Sequence, residues 1–149
     1  MKPSLRSIAF VLLSGLLPLA GAAEFTVTML TNGPNKTQLV FDPMYVKANV
    51  GDTIVFKPVD TMGHTSMSVF TPVGATPWKA IPNTEFKVKL EKEGVYLVEC
   101  DIHKLLGMAM VIQAGKPVNL ADAKKKAAEE SKKFATNKDR FEKLLAMVK

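Results

Sequence analysis

The chain of 149 residues contains few of the side chains that most often carry chemistry. It has one cysteine, two histidines, one tryptophan and two tyrosines. A lone cysteine cannot form an internal disulfide, so the fold must rest on a hydrophobic core rather than on covalent cross-links. Beyond residue 22 the sequence also lacks a run of the roughly 20 apolar residues that a membrane-spanning helix needs. We therefore expect no membrane insertion by the rest of the chain.

The first 22 residues differ from the rest in composition. Lys2 and Arg6 precede an apolar run, SIAFVLLSGLLPLA, which leads into the small-residue site AGA. A basic start, a short apolar middle and a small-residue end are typical of a secretory signal peptide, and the run is too short for a membrane anchor. We predict cleavage after Ala22, a periplasmic location, and one mature domain over residues 23–149.

The predicted mature chain is basic. With Lys2 and Arg6 removed, 18 basic and 14 acidic residues remain, for a net charge of +4. The exported location disfavours a nucleic-acid partner, whereas a positive surface would steer the protein towards an acidic protein partner. No sequence feature requires an oligomer, so we expect a monomer.

Between residues 24 and 113 the sequence alternates short apolar segments with turn residues. Stretches rich in Gly, Pro, Asn and Asp separate segments that are rich in β-branched and aromatic residues. The segments are EFTVTML, KTQLVF, YVKANV, DTIVFKPV, TSMSVF, EFKVKL, GVYLVEC and GMAMVIQ. This spacing predicts an all-β protein, an antiparallel sandwich or barrel of about eight strands.

After Pro117 the composition becomes typical of helices. Asn119 is a suitable N-cap with Asp122 three positions later, ahead of the segment ADAKKKAAEESKK. A second segment, NKDRFEKLLAMVK, places its large apolar residues on one helical face: Phe141, Leu144, Leu145 and Val148. We predict two C-terminal α-helices over about 119–149, packed on the sandwich.

The one cysteine lies in a segment with a histidine and two methionines. In VECDIHKLLGMAM, Cys100, His103 and Met108 have the spacing C-x₂-H-x₄-M around a loop between two predicted strands. A thiolate, an imidazole and a thioether from one loop, with a second imidazole from His64, are the ligands of a trigonal copper site with a weak axial methionine. Met110 is the alternative thioether, but its position inside the next strand favours a core role.

Two other functions could use the same residues. A copper chaperone or storage protein would hand over Cu(I), and it would need a more open, exchangeable site. A Cys–His nucleophilic enzyme is disfavoured because Cys100 and His103 are too close on one turn and no orienting residue is evident. We predict that the protein is not an enzyme and that it carries electrons by cycling copper between Cu(II) and Cu(I).

Two long segments, LVFDPMYVKANVGDTIVFKPVDTMGH and GVYLVECDIHKLLGMAMVIQAGKPVNL, resemble the cupredoxin family of blue copper proteins, and within it the pseudoazurins. The resemblance covers nearly the whole mature chain. It implies a Greek-key β-sandwich with two C-terminal helices, one type 1 copper ion per chain, and the ligands His64, Cys100, His103 and Met108. It also implies single-electron transfer between periplasmic redox proteins, with a partner such as a copper nitrite reductase docking at the His103 face.

The sequence departs from the family pattern beside the ligands. Thr65 stands where the family usually has Asn, and Asp101-Ile102 replaces the usual Thr-Pro between the cysteine and the second histidine. We expect Thr65 and Asp101 to form a compensating hydrogen bond across the two ligand loops. The loop before His64 is also one residue longer than usual.

The ring of lysines that the resemblance leads us to expect around the site is thinner here. Met62 and Glu99 occupy two positions where the family commonly has lysine. Three other lysines could supply part of the ring: Lys36, Lys79 and Lys104. The apolar residues near His103 predict an exposed patch of the kind that marks docking sites: Ile102, Leu105 and Leu106.

Overall fold

The computed structural model describes residues 21–149, so most of the predicted signal peptide lies outside the described part of the chain. The strands are β1 (Glu24–Asn32), β2 (Gln38–Asp42), β3 (Tyr45–Ala48), β4 (Thr53–Pro58), β5 (Met67–Phe70), β6 (Phe86–Lys89), β7 (Gly94–Glu99) and β8 (Ala109–Ala114). The α-helices are α1 (Leu120–Ser131) and α2 (Arg140–Leu145), and single turns of 3₁₀ helix lie at Pro34–Lys36 and Lys104–Leu106.

The strands form two four-stranded sheets that pack face to face. One sheet has the order β2-β1-β4-β6 and the other the order β3-β8-β7-β5. Each of the eight predicted segments coincides with one strand. The prediction of an all-β sandwich of about eight strands with two C-terminal helices is confirmed.

The prediction of an antiparallel sandwich is wrong in part, because each sheet contains one parallel pair. β1 lies parallel to β4, with Phe25 opposite Ile54, and β3 lies parallel to β8, with Val46 opposite Ile112. Parallel partners are joined by long crossovers rather than by hairpins. Turn spacing reports only on strands that follow one another along the chain, so it could not reveal these two pairings.

The two inner strands of the second sheet, β7 and β8, are buried on both faces. Val98 packs into the core between the sheets with Phe56, whereas its neighbour Leu97 packs under the helices with Phe141. Every residue of β7 and β8 is buried. Since each large apolar side chain contributes ~1.5–3 kcal/mol when it is buried, these two strands are firmly held. The loop with three of the predicted ligands is anchored at both ends by them.

Both predicted helices cover this sheet. α2 packs through Phe141, Leu144 and Leu145, and α1 packs more lightly through two alanines. Asn119 has the predicted N-cap position, but its side chain bonds to β7 instead of the helix: Oδ1 accepts the Val95 N–H at 2.7 Å and Nδ2 donates to the Val95 carbonyl at 3.1 Å. None of the helices in residues 21–149 combines the length and apolar character needed to cross a bilayer.

Candidate metal centre

Strand pairing brings the two predicted ligand loops to one pole of the sandwich. β5 pairs with β7 so that Met67 lies opposite Glu99, and β7 pairs with β8 so that Glu99 lies opposite Ala109. The loop that enters β5 carries His64, and the loop that leaves β7 begins at Cys100. Because β5 and β7 are antiparallel, the start of β5 lies beside the end of β7. Both loops therefore emerge at the same end of the sheet.

Three of the four predicted ligands form a compact cluster at this pole. One ligand atom from each of His64, Cys100 and His103 lies within 4.8 Å of the other two. Cys100 Sγ and His103 Nδ1 are 3.5 Å apart, and the two imidazole ring centroids are 4.9 Å apart. His64 and Cys100 are fully buried, whereas His103 is partly exposed. The cluster is therefore closed to solvent except at the His103 edge.

The His64 ring is held from its outer side. Its Nε2 atom lies 3.1 Å from Thr31 Oγ1 and 3.2 Å from Asp60 Oδ1. An ionised carboxylate can only accept a hydrogen bond, so the proton of a neutral ring belongs on Nε2. The Nδ1 atom is buried and has no hydrogen-bond partner among residues 21–149. An unpaired buried polar atom costs ~1–3 kcal/mol. A metal ion bound to Nδ1 would remove this cost, so Nδ1 is the nitrogen available to a metal ion.

Asp60 is fixed by further hydrogen bonds. Its Oδ2 accepts the Thr31 N–H at 3.0 Å and its Oδ1 accepts the Met62 N–H at 3.1 Å. Partial burial acts to raise the pKa of Asp60, but the bonds from Thr31 and Met62 outweigh it and hold the pKa below its ordinary value. No sequence pattern marks Thr31 or Asp60 as a partner of His64. Thr31 comes from β1, and only the fold brings it near.

Met108 lies beside the cluster because of strand pairing. The Cys100 N–H donates to the Met108 carbonyl at 3.0 Å, which extends the β7–β8 ladder by one cross-strand pair. Side chains of such a pair lie on the same face. Met110 lies further along, opposite Val98, and both methionines are fully buried. Met108 is therefore the methionine paired with Cys100 across the two strands, and its role as the fourth ligand stays a prediction.

Thr65 connects the two ligand loops. Its N–H donates to Cys100 Sγ at 3.4 Å, and its hydroxyl oxygen accepts the Asp101 N–H at 3.0 Å. The predicted hydrogen bond between Thr65 and Asp101 is present, although the backbone N–H of Asp101 makes it and the Asp101 side chain does not. Thr65 thus holds the cysteine sulfur and the start of the second loop together.

The Asp101 carboxylate pairs instead with two lysines at the rim. Its oxygens lie 2.6 Å from Lys79 Nζ and 2.9 Å from Lys104 Nζ. Hydrogen bonds from Lys79 and then Lys104 lower the pKa of Asp101. Two of the three lysines expected to surround the site are therefore already paired with a carboxylate, and the rim is less positive than the sequence suggested.

Glu99, at one of the two positions where a lysine was expected, is buried and contributes no exposed charge to the rim. It is 2% exposed and lines a cavity of about 330 Å³ between the sheet and α1, together with Lys126, Glu130 and Lys133. Burial, and then the nearby Glu130, raise the pKa of Glu99 to about 7. Its replacement of a lysine removes a positive charge without adding an exposed negative one.

An exposed apolar patch surrounds the open edge of the cluster, as predicted. Its members are Ile102, which is 54% exposed, Leu105, which is 60% exposed, and Leu106, which is 40% exposed. The 3₁₀ turn in this loop ends at Gly107, whose φ of 68° is in the left-handed region. Burial, and then the neighbouring His64, lower the pKa of His103. The lowered pKa favours the neutral ring that a metal ion requires.

A buried arginine from α2, which the sequence analysis did not identify, supports the same loop. Arg140 is 8% exposed, and its Nη1 donates to the Leu39 carbonyl at 2.7 Å and to the Gly107 carbonyl at 2.6 Å. Burial lowers the pKa of Arg140. These bonds tie the helix, β2 and the residue before Met108 to one another.

The donor set of the cluster fits a copper ion. A cysteine sulfur, two imidazole nitrogens and a thioether form the soft three-plus-one set that copper favours. The unpaired Nδ1 of His64 and the buried thiol of Cys100 both lie on the inside of the cluster. A metal ion would give Nδ1 the partner that it lacks and would bind the Cys100 sulfur beside it.

The chain matches a known family over more than half its length. The model for copper binding proteins of the plastocyanin/azurin family matches residues 27–115. The chain therefore belongs to this family of copper-binding proteins, the cupredoxins, and copper is its cofactor.

Within the cupredoxins, the chain is similar to pseudoazurins. A pseudoazurin of Methylorubrum extorquens is 41% identical over 108 residues, which are 70% of this chain and 72% of that protein. A pseudoazurin of Paracoccus pantotrophus is 34% identical over 116 residues, 74% of this chain and 79% of that protein. The crystal structure of native pseudoazurin from Hyphomicrobium denitrificans matches 85% of this chain and 98% of its own, with a TM-score of 0.72 and 33% identity. The resemblance to pseudoazurins is confirmed.

Proposed function

We propose that the protein is a blue-copper electron carrier rather than an enzyme. His64, Cys100 and His103 would hold one type 1 copper ion, with Met108 as the weak axial ligand. The bound ion supplies one-electron chemistry by changing between Cu(II) and Cu(I). The pseudoazurin relatives support this proposal.

The observation that carries the proposal is the closed cluster with a single open edge. His64 and Cys100 are inaccessible to solvent, and only His103 reaches the surface. Cys100, His103 and Met108 come from a loop anchored in β7 and β8, whose residues are all buried, so this loop can keep one arrangement in both oxidation states. The same enclosure argues against a copper chaperone or storage protein, which must release its ion.

A visible absorption spectrum tests the proposal. The mature protein is mixed with one equivalent of Cu(II) and measured before and after ascorbate, with Cys100→Ser as the control. We expect an intense thiolate-to-copper band that bleaches on reduction and returns on reoxidation, and that is absent from the control. Loss of copper on each reduction would favour the chaperone, and the absence of a band would refute a type 1 site.

The fourth ligand is tested by a matched pair of substitutions. Met108→Leu and Met110→Leu are both nearly volume-conserving core changes, which usually cost less than about 1.5 kcal/mol. A thioether donor stabilises Cu(II) more than an alkyl group does, so Met108→Leu should raise the reduction potential and shift the band. Met110→Leu should leave both unchanged. The reverse result would assign the ligand to Met110.

We also propose that redox proteins dock at the His103 face of a monomer, and that one partner is a copper nitrite reductase. The exposed apolar patch supports the docking face. We expect Leu105→Glu to slow electron transfer to such a reductase by about tenfold, the effect of losing one good interface contact. Val73→Glu is the control, because Val73 is 98% exposed and follows Pro72 beside Gly94, at the other end of β7. Equal rates for the two variants would contradict docking at this face.

We further propose that residues 1–22 direct export to the periplasm and are then removed. The backbone nitrogen of Ala23 lies 2.8 Å from Asp52 Oδ1, so the amino group produced by this cleavage would meet a carboxylate. The intact mass of the protein in a periplasmic extract is the test. We expect a chain that begins at Ala23, and an uncleaved chain would overturn the proposal.

A further inference from the structure

We infer that Asp60 is a positioning residue for the ligand His64 and that its negative charge lowers the reduction potential of the metal centre. The first half of the inference stands on the geometry of the protein itself. The second half rests on the proposed function, since it requires a copper ion at the cluster.

The loop that carries His64 is folded so that Asp60 reaches the outer side of the ring. Asp60 follows β4 by two residues and lies four residues before His64. Its Oδ1 accepts the Met62 N–H, and Gly63, with a φ of 82°, turns the chain back towards the cluster. This turn lets the carboxylate contact Nε2 of its own loop's histidine.

The contact determines which ring nitrogen faces the cluster. Nε2 lies between the Asp60 carboxylate and the Thr31 hydroxyl, while Nδ1 is buried without a partner among the described residues. A carboxylate acceptor keeps the proton on Nε2 and leaves the lone pair on Nδ1. Carboxylates that hold ligand histidines in this way orient the ring and strengthen its donation to the metal.

The charge of Asp60 acts in addition to its hydrogen bond. The Asp60 side chain is 32% exposed, so its field is only partly screened by water. A nearby negative charge stabilises the doubly charged oxidised ion more than the singly charged reduced ion. Removing that charge while keeping the shape of the side chain should therefore raise the reduction potential.

Asp60→Asn tests the charge, because the amide has nearly the same shape and keeps an oxygen facing Nε2, although it gives up the bond from the Thr31 N–H. We expect the affinity for Cu(II), relative to that for Cu(I), to fall by about tenfold, as is typical for such outer partners. For a one-electron couple this change equals a rise of ~59 mV in potential. Glu24→Gln removes the same charge at the opposite end of β1, where the Glu24 side chain is 58% exposed, and should leave the potential unchanged.

Asp60→Ala tests the positioning half without metal. The ¹⁵N chemical shifts of the His64 ring in the apoprotein report its tautomer, and we expect the Nε2–H form in the wild type and a mixture in Asp60→Ala. An unchanged tautomer would show that Thr31 alone orients the ring and would overturn this half. If Asp60→Asn and Glu24→Gln have the same reduction potential, the inference that the charge of Asp60 lowers the potential is wrong.

The two proposals fail in different ways. If the wild type lacks the thiolate band, the proposed function is wrong, while the tautomer of the apoprotein still decides whether Asp60 positions His64. If the wild type has the band and neither Asp60 variant differs from its control, the function stands and the inference is wrong.

Discussion

Thr65 joins the two ligand loops with one short side chain. Its hydroxyl oxygen accepts the Asp101 N–H, and Thr65 itself is 2% exposed. Thr65→Val keeps the shape of the side chain but leaves that N–H without its acceptor. We expect the apoprotein to lose about 1–3 kcal/mol of unfolding free energy, the cost of an unsatisfied buried donor. Urea denaturation followed by tryptophan fluorescence measures the change.

Thr26→Val is the control for this substitution, since Thr26 is an exposed threonine in β1. Valine is favoured in strands, so the control should be neutral or slightly stabilising. A Thr65→Val protein as stable as the control would mean that water replaces the hydroxyl, and that the predicted compensation between Thr65 and Asp101 contributes little.

The residues of the cluster could be predicted from the sequence because the chain offers so few candidates. With one cysteine and two histidines, the chemistry of copper left little choice. The residues that hold the ligands could not be predicted in the same way. Thr31 contacts His64 from 33 positions away and Arg140 contacts Gly107 from 33 positions away, so only the folded chain brings them together.

Among the secondary-structure elements, α2 has a role beyond covering the sheet. Its first residue, Arg140, holds the carbonyls of Leu39 and Gly107. Arg140→Met would remove this donor from both carbonyls, of which that of Gly107 is in a buried bond and that of Leu39 in a partly buried one. Because hydrogen bonds to charged groups contribute ~1.5–3 kcal/mol each, we expect a loss of about 3 kcal/mol of unfolding free energy. Loosening at Gly107 should also speed copper release, which a chelator competition measures.

Lys143→Met is the matched control in the same helix. The side chain of Lys143 is 73% exposed and pairs with Asp139, an ion pair of the surface kind that contributes little to stability. Its substitution should leave both the stability and the rate of copper release nearly unchanged. If the two variants lose copper equally fast, Arg140 does not support the ligand loop.

The strands were predictable one by one, but their partners were not. Short continuous apolar runs bounded by turn signals mark β4 and β7 clearly, because each segment must bury one or both faces. The parallel pairing of β1 with β4 depends instead on which sheet each crossover enters. Packing over the whole sandwich determines this pairing, so local sequence patterns cannot predict it.

Across the whole molecule, the pole opposite the metal centre is where the predicted mature chain begins. Asp52 is 4% exposed there, and its carboxylate accepts the Asn49 N–H at 2.7 Å and the Ala23 N–H at 2.8 Å. The Ala23 carbonyl in turn accepts the Thr53 N–H at 2.9 Å. Asp52 therefore closes the start of β1 onto β4, the strand that leads to the His64 loop.

This closure should make stability depend on acid. The hydrogen bonds from Asn49 and Ala23 lower the pKa of Asp52 below its ordinary value. The stabilisation is fully present above the unfolded-state pKa of about 3.9, and it is lost as the pH falls through the lower folded-state pKa. Asp52→Asn should therefore lower Tm at pH 7, and its difference from the wild type should shrink as the pH falls below about 3.9.

The mature chain and a chain that keeps residues 21 and 22 separate two causes of this effect. With cleavage after Ala22, the Ala23 nitrogen is an ammonium group, and its charge strengthens the bond to Asp52. We expect Asp52→Asn to lower Tm more in the mature chain than in the extended one. Glu85→Gln, which removes a carboxylate that is 49% exposed, should change Tm in neither. An equal effect of Asp52→Asn in both chains would mean that the backbone bonds alone provide the closure and that cleavage adds nothing to it.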